Sequence, residues 1–289
     1  MNLLNNYSYT PAFATLDDFF ENSIVDDVQN DETTVTNHLV TFTQYTAQNT
    51  ALSKRFYLED GVIRKEAAAN FCVGNAERVC TSFENFATSI RSPANNVAYG
   101  YGTYGDGFDN CVSITTVGNE NHRANLLART KSNFSFKNVP GVLLLDYDPS
   151  KYGPCLNFLQ LLEKLASILP AFSKAAYVVK GSTSSGVVIK GCQPSVNTGF
   201  HLYIPVQNAE DILRFSNVLY QKLFISEGYI ALAKNGVMLI RTPIDKAVFS
   251  PERIDFIGNP ILEDDGLEFI PPLFKYQDGD FLDTSLLPN

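Results

Sequence analysis

With 289 residues, of which 45% are hydrophobic and 18% charged, and a net charge of −9, the chain has a globular composition and can form one large domain or two smaller ones. Five dispersed cysteines without a CxxC pair exclude a regularly spaced disulfide framework or zinc site, as is typical of a reducing cytoplasm. Without a signal-peptide layout or an apolar run of about 18 residues, the chain is predicted to be cytoplasmic with no membrane partner.

The first half of the chain gives a mixed pattern. Residues 1–37 are acidic, with a short helix predicted over residues 16–24. Alternating polarity predicts strands over residues 38–46 and 111–117, whereas residues 51–58 fit either a strand or a helix. Helical spacing predicts a helix over residues 75–90, ending before Ser92-Pro93, and Asp60-Gly61 is a turn signal. Residues 99–107 contain four glycines and three tyrosines, which suit either a base-stacking loop or a flexible turn between strands.

The second half alternates strands and helices more regularly. The predicted elements are strands over 142–148, 176–179, 200–206, 237–240 and 254–257, and helices over 155–169 and from the Asn208 cap to about residue 224. From residue 263 the chain is an acidic, proline-containing tail of low predicted regularity. This order favours an α+β fold with helices on one face of a mainly antiparallel sheet.

Positive charge is concentrated in the middle of the chain. Residues 121–204 hold nine basic residues against three acids, a net charge of +6, which leaves −15 for the remainder. The nine are Arg123, Arg129, Lys131, Lys137, Lys151, Lys164, Lys174, Lys180 and Lys190. A local basic field of this kind attracts phosphates. The alternative is that these side chains are ordinary surface charges without a shared role.

Paired acids end the most apolar strand. Pro140-Gly141 precedes four apolar residues, and Asp146 and Asp148 follow them. Residues at i and i+2 of a strand point to the same side of a sheet, so the two carboxylates repel each other unless a cation lies between them. A hard divalent ion suits such oxygen ligands. The alternative is a strand that simply exits into solvent.

Further polar residues suit the same chemistry. His201 lies within an apolar strand that follows the serine-rich loop 181–186, and imidazoles and hydroxyls donate hydrogen bonds to phosphates. Asp245 follows Ile244, and Arg253 lies a few residues further on. Three carboxylates from two segments, with a histidine and arginines, make up the composition of a two-metal phosphoryl-transfer site.

The order of these motifs resembles that of the archaeo-eukaryotic primase superfamily, especially the primase-polymerases of phages and plasmids. That family shows an apolar strand ending in Asp-x-Asp, then a small residue two positions before a histidine, then an apolar residue followed by aspartate. Here the similar stretches are residues 142–148, Gly199-Phe200-His201 and Ile244-Asp245, with a basic segment at 128–134. The resemblance covers roughly residues 95–262. It departs from the family at Gly199, where serine is common, so that Ser184, Ser185 or Thr198 would supply that contact.

The resemblance implies roles for individual residues. Asp146, Asp148 and Asp245 would bind catalytic Mg²⁺ or Mn²⁺. His201, with Ser184 and Ser185, would contact the phosphates of the incoming nucleotide. Arg129, Lys131 and Arg253 would contact phosphates or the template.

The resemblance also implies a fold and a function. The fold would be an RRM-like catalytic half packed against an N-terminal α/β half, with the cleft between them. The activity would be that of a template-directed nucleotidyltransferase, a DNA primase or primase-polymerase of plasmid or phage DNA replication. Its partners would be nucleoside triphosphates, a single-stranded DNA template and a primer. No GxxxxGK[ST] motif is present, so a separate replicative helicase is a further expected partner.

These expectations divide the chain into a partly accessory segment, 1–94, a catalytic core, 95–262, and a C-terminal acidic tail, 263–289. Two alternative functions remain at this stage. A metal-dependent nuclease or relaxase also uses clustered acids and histidine, but His38, His122 and His201 do not cluster in the sequence. A non-catalytic RRM-like nucleic-acid-binding module would instead expose aromatic side chains on its central strands.

Overall fold

The computed structural model describes residues 39–67, 71–195, 198–233 and 235–289, apart from the side chain of Arg123. The strands in this part of the chain are β1 (Leu39–Thr46), β2 (Lys54–Glu59), β3 (Val62–Ala67), β4 (Gly74–Ser82), β5 (Val97–Gly100), β6 (Thr103–Tyr104), β7 (Cys111–Thr115), β8 (Leu126–Ala128), β9 (Phe134–Ser135), β10 (Gly141–Tyr147), β11 (Tyr177–Gly181), β12 (Val187–Ile189), β13 (Phe200–Val206), β14 (Tyr229–Leu232), β15 (Met238–Arg241), β16 (Ile261–Leu262), β17 (Leu267–Phe269) and β18 (Phe274–Gln277). The α-helices are α1 (Phe83–Arg91), α2 (Phe158–Ile168) and α3 (Ile212–Glu227).

One large sheet organises the fold. Its strand order is β18-β11-β13-β10-β1-β4-β7-β8, and β5 also pairs with β1. Most neighbours are antiparallel, but β1 runs parallel to β10 and β7 runs parallel to β8. Smaller sheets join β16 to β2 and β3, β12 to β17, β6 to β9, and β14 to β15. The predicted α+β class and the mainly antiparallel sheet are therefore confirmed.

The two faces of the large sheet carry different partners. Tyr147 points away from the Asp146 side of β10, and its hydroxyl accepts a hydrogen bond from the backbone N–H of Leu156, just before α2, at 2.7 Å. On the opposite face, the ring of Phe86 in α1 lies 5.8 Å from the ring of Tyr203. The helices therefore occupy both faces, and the prediction that they lie on one face was wrong.

The helix predicted over residues 155–169 is α2, and its start has a clear local cause. The Asn157 side chain accepts a hydrogen bond from the backbone N–H of Gln160, and the Gln160 side chain accepts one from the backbone N–H of Asn157. This reciprocal pair satisfies two backbone donors that a helix start leaves free. Leu161 and Leu165 are buried on the face that meets the core. None of the helices in the described residues is long and apolar enough to cross a membrane.

The helix predicted over residues 75–90 was wrong for its first half. Residues 74–82 form β4, which pairs along its length with β1 and also with β7. The helix begins only at Phe83, because Ser82 caps it by accepting a hydrogen bond from the backbone N–H of Asn85. The apolar residues whose spacing predicted one helix thus lie partly in β4 and partly in α1.

The other predictions for local elements have different outcomes. The predicted strand over residues 254–257 is reduced to an isolated bridge between Tyr99 and Asp255. Residues 51–58, which fitted a strand or a helix, contribute to β2, and Asp60-Gly61 forms the turn to β3 with positive φ at both residues. The predicted helix over residues 16–24 lies outside the described residues.

The C-terminal residues are not irregular, contrary to the prediction from their acidic composition. β18 forms the edge of the large sheet by pairing with β11, and Leu282 and Leu287 are buried in its hydrophobic core. Likewise, β1 and β4 from the segment before residue 95 lie in the same sheet as β10. Acidic residues between the apolar ones concealed this packing in the sequence.

A network of hydrogen bonds connects the C-terminal end of the chain to α3. The Arg214 guanidinium donates to both carboxylate oxygens of Asp211 at 2.6 Å and to the carbonyls of Thr284 and Leu287 at 2.9 and 2.6 Å. The Thr284 hydroxyl donates to Asp211 at 2.6 Å. Hydrogen bonds from Arg214, and then from Thr284, hold the pKa of Asp211 below its ordinary value despite partial burial.

Replacing Arg214 with methionine is expected to lower the free energy of unfolding by about 1–2 kcal/mol at pH 7, because two carbonyls and a carboxylate lose a charged donor. Since the folded-state pKa of Asp211 is lowered, this contribution is present above its unfolded value of about 3.9 and disappears as pH falls through the folded value. Urea unfolding of both proteins at neutral and acid pH measures the difference. Arg64→Met, which removes an exposed pair with Glu59, is the control.

Candidate active site

A cavity of about 660 Å³ collects polar residues from distant parts of the chain. Its polar and charged lining consists of Lys54, Arg129, Asp146, Thr183, His201, Asp245, Arg253 and Asp255. Five of these were predicted as site residues, namely Arg129, Asp146, His201, Asp245 and Arg253. Its volume lies in the range of small-molecule binding sites.

Asp146 and His201 face each other directly across β10 and β13. Asp146 Oδ1 lies 3.4 Å from His201 Nε2. Burial raises the pKa of Asp146 to about 6; the charge of His201 opposes this rise, and the charges of Asp148, Asp255 and Asp245 add to it. Asp146 therefore lies among acids whose repulsion a bound cation would relieve.

Asp255 fixes the other side of the imidazole. Its side chain is only 3% exposed and accepts hydrogen bonds from the hydroxyls of Tyr101 and Tyr203 at 2.7 and 2.9 Å. Its Oδ1 lies 3.2 Å from His201 Nδ1. Burial alone would raise the pKa of Asp255, but the charge and hydrogen bond of His201 and the two tyrosine hydrogen bonds outweigh it, so the pKa is lowered. Asp255 is therefore a fixed anion.

The two carboxylates determine the state of His201. Burial would lower the pKa of His201, but the charge and hydrogen bond of Asp255 and the charge of Asp146 outweigh burial and raise it. Nδ1 faces Asp255, so Nε2 faces Asp146 and the cavity. The imidazole is thereby oriented to donate a hydrogen bond into the cavity from Nε2.

The third predicted acid joins the first through the backbone. The Asp245 N–H donates to the Asp146 carbonyl at 2.8 Å, next to an isolated bridge between Tyr147 and Ile244. The Asp245 carboxylate accepts a hydrogen bond from the Ala247 N–H at 3.0 Å and caps the turn that follows. The first and third motifs thus meet at one end of β10.

Asp148 lies just outside this cavity, exposed beyond the end of β10. A Cβ atom at Gly199 would lie 2.7 Å from Asp148 Oδ1 and 3.0 Å from the Tyr147 carbonyl, closer than normal packing allows. A side chain at position 199 would therefore be crowded. The buried Ser182 hydroxyl lies 3.3 Å from the same point.

The acids suit a divalent ion chemically, although they do not form a closed cage. Within the described ranges, no three His, Cys, Asp or Glu side chains lie close enough together to surround one ion. Asp146, Asp148 and Asp245 nevertheless offer carboxylate oxygens, the ligands that Mg²⁺ and Mn²⁺ prefer. Asp148 and Asp245 both raise the pKa of Asp146, as expected for a set of carboxylates that a cation would stabilise.

Three cations line the cavity with the acids. Arg129 donates from Nη1 to the Glu252 carbonyl at 2.6 Å, and Arg253 is exposed. Lys54 of β2 was not predicted. Burial and the charge of Lys65 lower its pKa, against the charges of Asp148, Asp146 and Asp255. In the part of the chain that the structure describes, Lys54 has no carboxylate within 4.0 Å, so its ammonium is available to an anionic ligand.

The other predicted contacts lie elsewhere. Ser184 and Ser185 do not line the cavity: the Ser185 hydroxyl donates to the Ser182 carbonyl at 2.6 Å, and Ser184 Oγ lies 3.2 Å from Ser182 Oγ. Thr183 lines the cavity instead. Lys131 lies outside it, in a neighbouring groove.

The tyrosines of residues 99–107 do not form a base-stacking loop. Tyr99, Tyr101 and Tyr104 are all buried, and the segment contains β5, β6 and one of the hydroxyls that hold Asp255. The segment is not a simple flexible turn either. The rings of Tyr147 and Tyr203 on β10 and β13 are buried too, which disfavours a module that stacks bases on its central strands.

No family model, curated protein or solved structure matches the chain. The arrangement of the cavity, together with the order of the motifs, therefore carries the functional assignment. Asp146 and Asp245 in the lining, with Asp148 just outside it, three cations and an oriented imidazole are of the ligand types that a divalent ion and a polyanion use. His122 packs against Phe108 at 4.1 Å between ring centroids and does not line the cavity, so it forms no cluster with His201.

Replacing Asp255 with asparagine is expected to lower the pKa of His201, because burial would then be opposed by the Asp146 charge alone. An NMR titration of the His201 ring without divalent ions measures the shift. In the wild type, the raised pKa of His201 contributes stability at low pH, and this contribution is lost as pH rises through that pKa. The loss of stability should be smaller in Asp255→Asn. Asp278→Asn should leave the titration unchanged. An equal His201 pKa in wild type and Asp255→Asn would contradict the assigned role.

Proposed function

We propose that the protein is a template-directed nucleotidyltransferase, a DNA primase or primase-polymerase, that uses Mg²⁺ or Mn²⁺. The observation that carries this proposal is that Asp146, His201 and Asp245, one residue from each of the three motifs, are adjacent at one cavity. Cations from three further segments surround them. Acids for a metal, with cations and a donor for phosphates, match the needs of phosphoryl transfer.

The arrangement of elements supports the RRM-like half of the proposal. β10, α2, β11, β13 and α3 occur in this order in the chain, with the short β12 of another sheet between β11 and β13, and β11, β13 and β10 are adjacent antiparallel strands. Of the candidate catalytic residues, Asp146 and His201 lie on β10 and β13, on the face away from α2. We therefore propose that these elements form an RRM-like catalytic half, which packs against the strands that precede residue 95.

In this mechanism Asp146, Asp148 and Asp245 hold the ion, which supplies Lewis-acid stabilisation of the phosphates when bound. Lys54, Arg129 and Arg253 offset the charge of the triphosphate. His201 donates from Nε2 to a phosphate oxygen while Asp255 holds Nδ1. Phosphoryl transfer requires little covalent chemistry from the protein, so these residues act by positioning and charge stabilisation. Nucleoside triphosphates, a single-stranded DNA template and a primer are the proposed partners, with a separate replicative helicase.

Asp146→Asn and Asp148→Asn are each expected to abolish nucleotide incorporation on a primed DNA template with Mg²⁺ or Mn²⁺. Their melting temperatures without divalent ion should stay close to that of wild type, because losing one carboxylate relieves repulsion among the acids. Asp265→Asn, an exposed acid outside the cavity, is the matched control and should retain activity. Retained incorporation together with a large loss of stability would mean that Asp146 and Asp148 are structural.

His201→Ala is expected to raise the nucleotide KM or lower kcat by about 10²-fold, the scale for loss of one oriented donor to a developing charge. Binding of primer-template, which does not use the triphosphate, should change little. His122→Ala serves as control. If His201 only packs the strand, the variant will instead lose about 1 kcal/mol of stability with unaltered nucleotide affinity in the folded fraction.

A further inference from the structure

A second cavity of about 650 Å³ adjoins the candidate active site. We call it the outer groove; its lining includes Lys131, Leu213, Asn217, Lys246, Pro251 and Arg253. Arg253 lines both cavities, so the outer groove adjoins the cavity that Asp146 lines. Its lining comes from the segments around β9, the start of α3 and the turn after Asp245.

The cations of the outer groove have no carboxylate partner, although the Lys246 ammonium lies over the Tyr220 ring, 5.4 Å from its centroid. Lys131, Lys246 and Arg253 are exposed, and none has a carboxylate oxygen within 4.0 Å in the described part of the chain. Two acids also line the groove, but the Glu252 carboxylate is occupied by hydrogen bonds from the Ser250 hydroxyl at 2.8 and 2.7 Å. The other acid is Glu210. The Ser250 hydroxyl leaves the charge of Glu252 in place, so three cations against two acids give the lining a net charge of +1 in a chain of net charge −9.

The rest of the lining is largely apolar. Leu213 is 46% exposed on the first turn of α3, and the buried edges of Phe134, Phe136 and Phe249 close the floor. Single-stranded nucleic acid fits such a surface, because its phosphates can contact the spaced cations while its bases pack against the apolar side chains. A nucleoside triphosphate with its divalent ion suits the neighbouring acidic cavity better, because the outer groove has no set of free carboxylates.

We propose that the outer groove binds single-stranded nucleic acid and leads it past Arg253 to the candidate active site. Lys131 and Lys246 contact its phosphates, and Leu213 lies against its bases or sugars. The inference deepens the proposed function and rests on it for the role of the bound strand as template. Binding itself requires neither nucleotide nor divalent ion and is measured without them.

The first test compares two double variants of the full chain with equal changes in net charge. Lys131→Glu/Lys246→Glu changes the outer groove, and Lys174→Glu/Lys222→Glu changes exposed lysines that line neither the groove nor the active-site cavity. Fluorescence anisotropy with a labelled oligo-dT of about 20 nucleotides measures affinity over a range of salt. We expect the groove variant to lose about tenfold or more in affinity, and its salt slope to fall by about 1.4, since each lost single-strand phosphate contact removes about 0.7.

The second test locates the strand directly. A photo-reactive p-benzoylphenylalanine replaces Leu213 in one protein and Leu159 in another; both leucines are 46% exposed on helices, and only Leu213 lines the groove. Irradiation with the same oligonucleotide should cross-link at position 213 and not at 159. Equal cross-linking at both positions, equal affinity losses in the two double variants, or no DNA binding at low salt would each overturn the inference.

These outcomes separate the groove from the catalytic proposal. If the wild type binds DNA through Lys131 and Lys246 but incorporates no nucleotide, the groove stands and the nucleotidyltransferase assignment falls. If the wild type incorporates nucleotides while the groove variant binds DNA as wild type does, the catalytic proposal stands and the groove falls.

Discussion

The buried carboxylate of Asp255 sets the geometry of the candidate site. Burying the Asp255 charge is costly unless hydrogen bonds replace its hydration, and three donors do so: the hydroxyls of Tyr101 and Tyr203 and the imidazole of His201. Tyr101 lies between β5 and β6, and the other two donors lie on β13. The position of the imidazole therefore depends on the glycine- and tyrosine-rich segment, which supplies Tyr101 from the core.

The imidazole of His201 lies between two aspartates that differ in their environment. Asp255 receives three donors, and its pKa is lowered; Asp146 has the charge of His201 at 3.4 Å and several like charges beside it, and burial raises its pKa to about 6. Both carboxylates are desolvated, so burial does not explain why their pKa values shift in opposite directions. The number of hydrogen-bond donors and the neighbouring charges explain it. The Asp255 carboxylate thus holds His201 in place, and the Asp146 carboxylate remains available to a cation in the cavity.

The sequence predicted the central part of the site because its patterns are local. The apolar run before Asp146, the strand around His201 and the helix after residue 155 each carry their own periodicity and are found as β10, β13 and α2. Motif order then suggested that Asp146, His201 and Asp245 belong together, and all three line one cavity.

The missed features depend on long-range packing. Asp255 lies in the predicted strand 254–257, next to Arg253, which alone had been singled out there. Nothing in the sequence signals that two tyrosines and a histidine will surround Asp255. Lys54 reaches the cavity from β2, whose type the sequence left open. In the same way, β4 was taken for helix because its pairing with β1 and β7 is invisible to helical spacing, and the edge strand β18 was hidden in an acidic tail.

The central claim is that the acids at the end of β10 hold a divalent ion beside a triphosphate that His201 contacts. A crystal structure of the full chain with Mn²⁺ and a non-hydrolysable nucleoside triphosphate tests it directly, because manganese is located by its anomalous scattering. We expect manganese bound by Asp146, Asp148 and Asp245, with a phosphate oxygen within hydrogen-bonding distance of His201 Nε2. Manganese bound elsewhere, or a nucleotide outside this cavity, would contradict the account.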